Sequence, residues 1–493
     1  MSELVFGAPL LCVVLGGLAM MLVDAFVDEK SELATTTATI LIGAAGIAGA
    51  LFASDYVGAP ADGFIGPWLA TDKLALVSDV IICVGSAFAA LIAGGYLREH
   101  DLERGEFYPL LLFSAFGAMV LGRATDLLTL FLGLETMSLG VYALVAFRRT
   151  SPRSAEAGMK YFLLGSFAAA LLLLGSAYLY GATGHTDFTG IAIAVKNGTA
   201  DPRLLLMALM LLIVGLAFKI SAVPFHMWTP DAYEGAPTPV TAFMAVCVKS
   251  SVFIVMVRLF LVALTSADMM SGASGWPPVL AGLAAVTMVF GNLGAVGQSS
   301  VKRMLAYSSI AHAGYILIGL VAASKIGQPA ISAVLYYLAA YTVSNALAFG
   351  ALVFAGSHGR EVVSYEDLAG LGRRNPLLAV PFLLAVLSLM GFPPTAGFFA
   401  KYYIFMAAVQ AGDGMVWLAV LGALTSAVGA FYYLRVLVFL FFREPAEGAK
   451  VAIPMRSGYV ITAMVVAGAL VLQMGVAPSG YLEIANAAAK LFT

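Results

Sequence analysis

Apolar residues run along this chain in long unbroken stretches, separated by short polar connections. Runs of this length predict membrane-spanning helices, because about 20 residues rising 1.5 Å each cross the hydrocarbon core. Period-two alternation, the mark of lipid-facing barrel strands, is missing, so a barrel is excluded. Fourteen spans are expected, near 4–23, 33–53, 74–96, 108–122, 126–147, 158–181, 204–226, 238–264, 277–297, 302–322, 329–355, 377–410, 415–442 and 457–476. Met1-Ser2-Glu3 enters the first run without a basic segment or a convincing cleavage site, which predicts a permanent span there. The connections leave no room for a second domain, so residues 1–493 read as one all-α polytopic membrane domain.

Composition narrows the functional classes. Hydrophobic residues make up 61% and charged residues 11%, with a mean hydropathy of +0.95. Soluble domains run at about 45–50% apolar and about 25% charged, so a soluble enzyme is excluded. The net charge of −2 offers no basic face for nucleic acid. Cys12, Cys83 and Cys247 sit in apolar runs without CxxC spacing, which indicates neither a disulfide framework nor an iron–sulfur site. No GxGxxG fingerprint and no P-loop are present, and no cofactor or metal site is expected in this chain. Loops after odd-numbered spans carry fifteen Lys and Arg residues, Lys302 among them, against six on the other side, Arg123 among those. This bias predicts that loops 148–160 and 360–374 are cytoplasmic and that both termini lie across the membrane.

Five basic residues then remain inside spans: Lys219, Lys249, Arg258, Lys401 and Arg435, accompanied by Glu135 in the fifth span and His312 in the tenth. An ionisable group at bilayer depth costs several kcal/mol and persists mainly where it faces a bundle interior or a wet cavity. Glu135, Lys249 and His312 lie about ten residues into their spans, about 15 Å deep and near the midplane, and Lys219 lies about fifteen residues in, about 22 Å from its span's start. Bases outnumber acids, so a simple lock of paired charges does not account for the set. Arg258 and Arg435 lie nearer span ends, where pairing or snorkelling suffices.

Two spans should be broken helices. Residues 224–239 hold Pro224, Pro230, Pro237 and Pro239, and residues 391–401 read Gly-Phe-Pro-Pro-Thr-Ala-Gly-Phe-Phe-Ala-Lys. Proline removes a backbone donor and clashes with the preceding turn, and unwound backbone at membrane depth persists only beside a cavity or under protein. Each break lies five to seven residues from a buried lysine, Lys219 or Lys401. The polar positions also repeat at an offset of five spans. Glu135, Lys219 and Lys249 are separated by 84 and 30 residues, and His312, Lys401 and Arg435 by 89 and 34. An odd offset inverts the second copy, which predicts two inverted five-helix repeats, near 105–265 and 275–443, with discontinuous helices 7 and 12.

Glutamate, lysine and histidine all exchange protons, and an adjacent Glu–Lys pair titrates as a coupled unit. Hydroxyls such as Tyr336, Tyr337, Tyr341, Thr342 and Ser344 lie near enough in sequence to join a relay. A metal-cation site would need several oxygen ligands and would be repelled by the core lysines. Protons suit this set best.

The stretch Pro224-Phe225-His226-Met227-Trp228-Thr229-Pro230-Asp231-Ala232-Tyr233-Glu234-Gly235-Ala236-Pro237 and the stretch Lys302-Arg303-Met304-Leu305-Ala306-Tyr307-Ser308-Ser309-Ile310-Ala311-His312-Ala313-Gly314 resemble the two signatures of the antiporter-like proton-channel family. That family comprises the three large membrane subunits of respiratory complex I and subunits of multisubunit cation/proton antiporters. The resemblance covers essentially the whole chain and implies a proton path through Glu135, Lys219, Lys249 and Lys401, with His312 at the family's helix-ten histidine. Lysine at 401 is unlike complex I subunit M, which has glutamate there, and no long C-terminal lateral helix of the subunit L kind is expected. For a complex I member the resemblance implies NADH, FMN, iron–sulfur clusters and quinone in partner subunits. It also implies contacts with subunit M, the small subunits A, J and K, and lipids, in a bacterial inner membrane. The alternatives are a D-type subunit of a sodium/proton antiporter, which genomic neighbours would reveal, and a non-conducting scaffold, which substitution of Lys219 would expose.

Overall fold

The computed structural model describes residues 2–26, 31–54, 63, 65–266, 269–270, 275–356, 359–445 and 453–492. The first helices are α1 (Ser2–Phe26), α2 (Ser31–Ala53), α3 (Lys73–Glu99), α4 (Phe107–Arg123), α5 (Leu127–Val145) and α6 (Pro152–Thr183). A short α7 (Phe188–Lys196) precedes α8 (Pro202–Ile220), α9 (Trp228–Gly235) and α10 (Thr238–Ala263). Then follow α11 (Trp276–Val296), α12 (Val301–Ile326), α13 (Gln328–Phe354), the single turn α14 (Leu371–Arg374), α15 (Pro376–Met390) and α16 (Ala396–Gln410). The last three are α17 (Asp413–Leu437), α18 (Gly458–Val476) and α19 (Pro478–Ala489).

Polar caps start the helices where the apolar runs begin. Asp72 accepts from the amide of Ala75, Asp126 from those of Leu128 and Thr129, and Ser300 from that of Arg303. Each satisfies donors that would otherwise be stranded at a helix start. Among the described residues, twelve helices are long and apolar enough to cross a membrane. The remaining two of the fourteen expected spans fall on α4, with 17 residues, and on the broken pair α15 and α16. The span expected at 204–226 ends as a helix at Ile220, and the chain resumes helically at Trp228. The helices α7, α9, α14 and α19, which the hydropathy pattern missed, are too short to cross.

The most apolar stretches of α12 and α13 are 94% buried and that of α10 is 89% buried, so these three form the centre of the bundle and carry Lys249 and His312. Around them, α4 packs on α5, α6 on α8, α11 on α12 and α13 on α15. The second two pairings repeat the first two at an offset of five spans.

Two residues counted as loop cations are buried in helices. Arg123, in the last turn of α4, pairs with Asp79 of α3, and its Nη1 donates to the Phe6 carbonyl at 3.0 Å. Lys302, in the first turn of α12, is 1% exposed, and its Nζ donates to the Ala236 carbonyl at 2.6 Å. Asp79 is itself a fully buried acid that the depth argument passed over. Replacing Arg123 with leucine leaves that acid unpartnered, at an expected cost of about 3–5 kcal/mol. Measured thermal stability should fall accordingly, and the double replacement Arg123→Leu with Asp79→Leu should recover most of it.

Candidate functional site

The helix α8 ends at Ile220, one residue after Lys219, because Ser221 adopts a left-handed conformation (φ 65°) and Pro224 follows. The break is closed by polar bonds: Thr229 Oγ1 donates to Ser221 Oγ at 2.7 Å, and the Trp228 indole donates to the Phe218 carbonyl at 3.0 Å. Lys219 is thereby held in the interior at 1% exposure. Its Nζ donates to Ser138 Oγ at 2.7 Å and to the Tyr142 hydroxyl at 3.1 Å, and lies 5.2 Å and 5.7 Å from the Tyr142 and Tyr161 ring centroids. Ring faces favour a cation, which offsets part of the cost of burying one. Glu135 stands one turn before Ser138 on the same face of α5 and is half-buried. Its Oε1 is enclosed without a hydrogen-bond partner, and among the described residues it makes no ion pair within 4 Å. The two groups therefore share a face with a serine between them, rather than touching.

Lys249 follows a π turn, Met244–Val248, inside α10. Such turns misalign the backbone ladder and recur at functional positions. The Lys249 Nζ donates to both the carbonyl and the hydroxyl of Ser309, each at 2.6 Å. The same Ser309 Oγ accepts from the Tyr341 hydroxyl at 2.9 Å and lies 3.3 Å from the Tyr233 hydroxyl. One turn further along α12, His312 Nδ1 lies 2.6 Å from the Tyr337 hydroxyl and Nε2 lies 3.1 Å from that of Tyr433. Tyr433 in turn bonds Ser308. A neutral imidazole donates at one nitrogen and accepts at the other, and hydroxyls do either. Rotation of the two tyrosine hydroxyls thus lets a proton enter at one side of the ring and leave at the other.

Lys401 sits in the first turns of α16, after the second break. Its Nζ donates to the Met390 carbonyl at 2.7 Å and to Ser426 Oγ at 2.8 Å, and lies 5.2 Å from the Tyr315 ring centroid. The Met390 carbonyl is free to accept because four residues on stands Pro394, which has no N–H. The Leu389 carbonyl, stranded in the same way by Pro393, faces His312. Gly391 takes φ 88° at the end of α15, a conformation that favours glycine. A cavity of about 10 Å³ lies between His312 and the break, lined by Tyr337, Tyr341, Ser344, Ser388 and Gly397, with room for about one water.

The structure places Lys249, His312 and Lys401 in one polar region, each with its own hydrogen-bond partners, and holds Glu135 and Lys219 in a second. Among the described contacts, Lys219 and Lys249 share no hydrogen-bond partner. Of the five hydroxyl residues suggested by sequence, Tyr337, Tyr341 and Ser344 line the first region, whereas Tyr336 donates to the Met474 carbonyl and Thr342 back-bonds to Leu338. Ser138, Tyr142, Ser309, Tyr433 and Ser426 belong to the site and were not anticipated. Two had a signal: Ser138 lies three residues after Glu135 and Ser309 three before His312, so each shares a helical face with a named residue. Arg258 is a lock: its Nη atoms donate to both Asp72 carboxylate oxygens at 2.7 Å, and its Nε to the Gly122 carbonyl. Arg435 donates to the Gln298 carbonyl and lies 4.4 Å from the Tyr365 ring centroid. Among the described residues, no three His, Cys, Asp or Glu side chains gather as a metal site would require.

Comparison with known proteins adds to this geometry. Residues 124–428 match the family model described as NADH:quinone oxidoreductase/Mrp antiporter, TM. The chain is 54% identical over 496 residues to the NADH-quinone oxidoreductase subunit N 1 of Sorangium cellulosum (strain So ce56), with 97% of each chain covered. It superposes on a chain of respiratory complex I from Thermus thermophilus with bound aureothin with a TM-score of 0.80 and 35% identity, over 97% of this chain and 99% of that one. A chain of the Mrp complex from Dietzia sp. DQ12-45-1b shares the fold, with a TM-score of 0.85 at 22% identity, over 98% and 97% of the two chains.

Proposed function

The chain belongs to the NADH:quinone oxidoreductase/Mrp antiporter transmembrane family, in its subunit N branch, and from that membership we propose how its buried groups move protons. It is a multi-pass membrane subunit of a proton-translocating NADH-quinone oxidoreductase, a translocase, and works among other subunits of that complex. In our reading, NADH, FMN, the iron–sulfur clusters and the quinone belong to partner subunits. The energy of quinone reduction arrives laterally through subunit M and the small subunits A, J and K. The chain lies in the bacterial inner membrane with both termini on the periplasmic side.

A change of charge at Glu135 shifts the proton affinity of Lys219. The shift passes to Lys249, through Ser309 and the tyrosines to His312, and on to Lys401. Two five-helix repeats, inverted with respect to each other, provide the two halves of this path. The observation that carries the reading is the close approach of two hydrogen-bonded sets, Lys249 with Ser309 and Tyr341, and His312 with Tyr337 and Tyr433 at its ring nitrogens, with the Tyr341 and His312 ring centroids 5.0 Å apart. A locked scaffold would pair its buried lysines with acids, whereas here Lys219, Lys249 and Lys401 bond to hydroxyls and carbonyls. The D-type antiporter reading has the shared fold on its side and nothing more specific.

Replacing His312 with leucine tests the path, since leucine fills the space without carrying a proton. NADH-driven proton uptake into inverted membrane vesicles should fall about a hundredfold, the low end of what a positioned proton-transfer group contributes. Assembly of the complex, followed on native gels, should persist. Parental uptake in the His312→Leu complex would remove His312 from the path.

A further inference from the structure

The loops after the odd-numbered spans enclose a polar cavity of about 470 Å³, set apart from the relay. Its walls come from separate elements: Tyr96 from α3, Arg148 and Arg153 on either side of the α6 start, Glu234 and Ala236 around the end of α9, and Glu361 from the loop before α14. Glu361 is bonded by the Tyr96 hydroxyl, and its carboxylate oxygens lie 3.6 Å from Arg148 and 3.7 Å from Lys302. Lys302 in turn reaches the Ala236 carbonyl, in the segment that follows the first break. Along α12, Lys302 and Ser309 are seven residues apart and therefore on one face, so the inner wall of the cavity leads toward the oxygen that holds Lys249. From α9, Tyr233 spans the same interval, its hydroxyl 3.3 Å from Ser309.

We propose that this cavity is the vestibule through which protons enter the relay from the face bearing the basic loops, and that Glu361 is its proton acceptor. The inference rests on the relay reading above and adds its point of supply. Cavity water gives a proton to the Glu361 carboxylate, and the carboxyl then releases it inward past Lys302. Burial holds the Glu361 carboxyl up at about 7, despite Arg148 and Lys302 beside it, so the group exchanges protons near neutral pH. The other charged or titratable groups facing it are Tyr96, Arg153, Glu234 and Arg360, with His100 stacked on Tyr96. Burial and Arg148 hold His100 down at about 4, so it stays neutral over the working range. Glu361 is thus a group here whose charge changes between pH 6 and 8.

Glu361→Gln keeps the shape and an acceptor for Tyr96 but cannot titrate. In inverted vesicles of the assembled complex, NADH-driven proton uptake should fall several-fold. Its dependence on external pH between 6 and 8 should flatten, and Glu361→Asp should restore part of both. A charge that merely tied the loops together would change assembly without altering that pH profile. A second arm places a cysteine at the exposed Arg153 and adds a bulky, membrane-impermeant thiol reagent. Labelling from the cytoplasmic face should block the uptake that the same complex shows before labelling. Parental rate and pH profile in Glu361→Gln, or full uptake after complete labelling, would overturn the vestibule. Neither result would touch the relay, whose own failure is read separately as normal pumping in His312→Leu.

Discussion

A complex carrying Lys219→Ala is expected to assemble normally and to pump protons about a hundredfold or more slowly than the parent, with its coupled quinone reductase activity depressed. Alanine is the best helix former, so the last turn of α8 survives, and the break after it is held by Thr229–Ser221 and Trp228–Phe218 bonds that do not involve the lysine. What disappears is the one cation donating to Ser138 and Tyr142. Lys219→Arg sharpens the test. Arginine keeps the charge over the Tyr142 and Tyr161 rings but does not release its proton under working conditions. A lock would be preserved by arginine, whereas a relay would not. Uptake near the parental rate in either variant, measured in inverted vesicles with NADH as the donor, would sink the assignment. Glu135→Gln should resemble Lys219→Ala in pumping, and Glu135→Asp should retain part of it, since the charge survives with a shorter reach.

The same pair shows how far the residues alone carried the description. Depth along the apolar runs was enough to single out Glu135, Lys219, Lys249, His312 and Lys401, because lipid penalises unused charge so heavily that its survival is informative. The two proline clusters marked where helices had to stop, and α8 and α15 stop there. Three things were hidden because they depend on tertiary packing. Helix ends cannot be placed within a turn from hydropathy, so Arg123 and Lys302 read as loop cations although α4 and α12 enclose them. The Asp79–Arg123 pair joins positions 44 residues apart, which no local pattern reveals. The network partners Ser309 and Tyr433 are ordinary helical residues until α10, α12 and α17 bring them beside Lys249 and His312. Glu135 and Lys219, expected as a pair, are held a serine apart, so in our reading their coupling acts through space and through Ser138.

Changing Pro393 and Pro394 together to alanine is expected to leave the protein folded and to impair pumping severely. In a continuous helix the carbonyls of Leu389 and Met390 would receive the amides of residues 393 and 394. Proline supplies neither amide, so both oxygens remain available to side chains: Met390 accepts from Lys401 Nζ at 2.7 Å, and Leu389 faces His312. Alanine at both positions restores the donors at little conformational cost. Helix α15 can then extend over the break, and its own backbone competes with Lys401 for the Met390 oxygen. Ser426 at 2.8 Å would remain as the hydrogen-bond acceptor for the ammonium, too little to hold a buried cation well. The polar cavity between His312 and Gly397 would close with the helix, removing the link between the last two relay groups. Stability should hold or rise, because a broken ladder is mended, while proton uptake in inverted vesicles falls. The opposing result is normal uptake in a double variant whose structure shows α15 running unbroken past residue 394. The break would then serve packing alone, and Lys401 would lose its place as the outlet of the path.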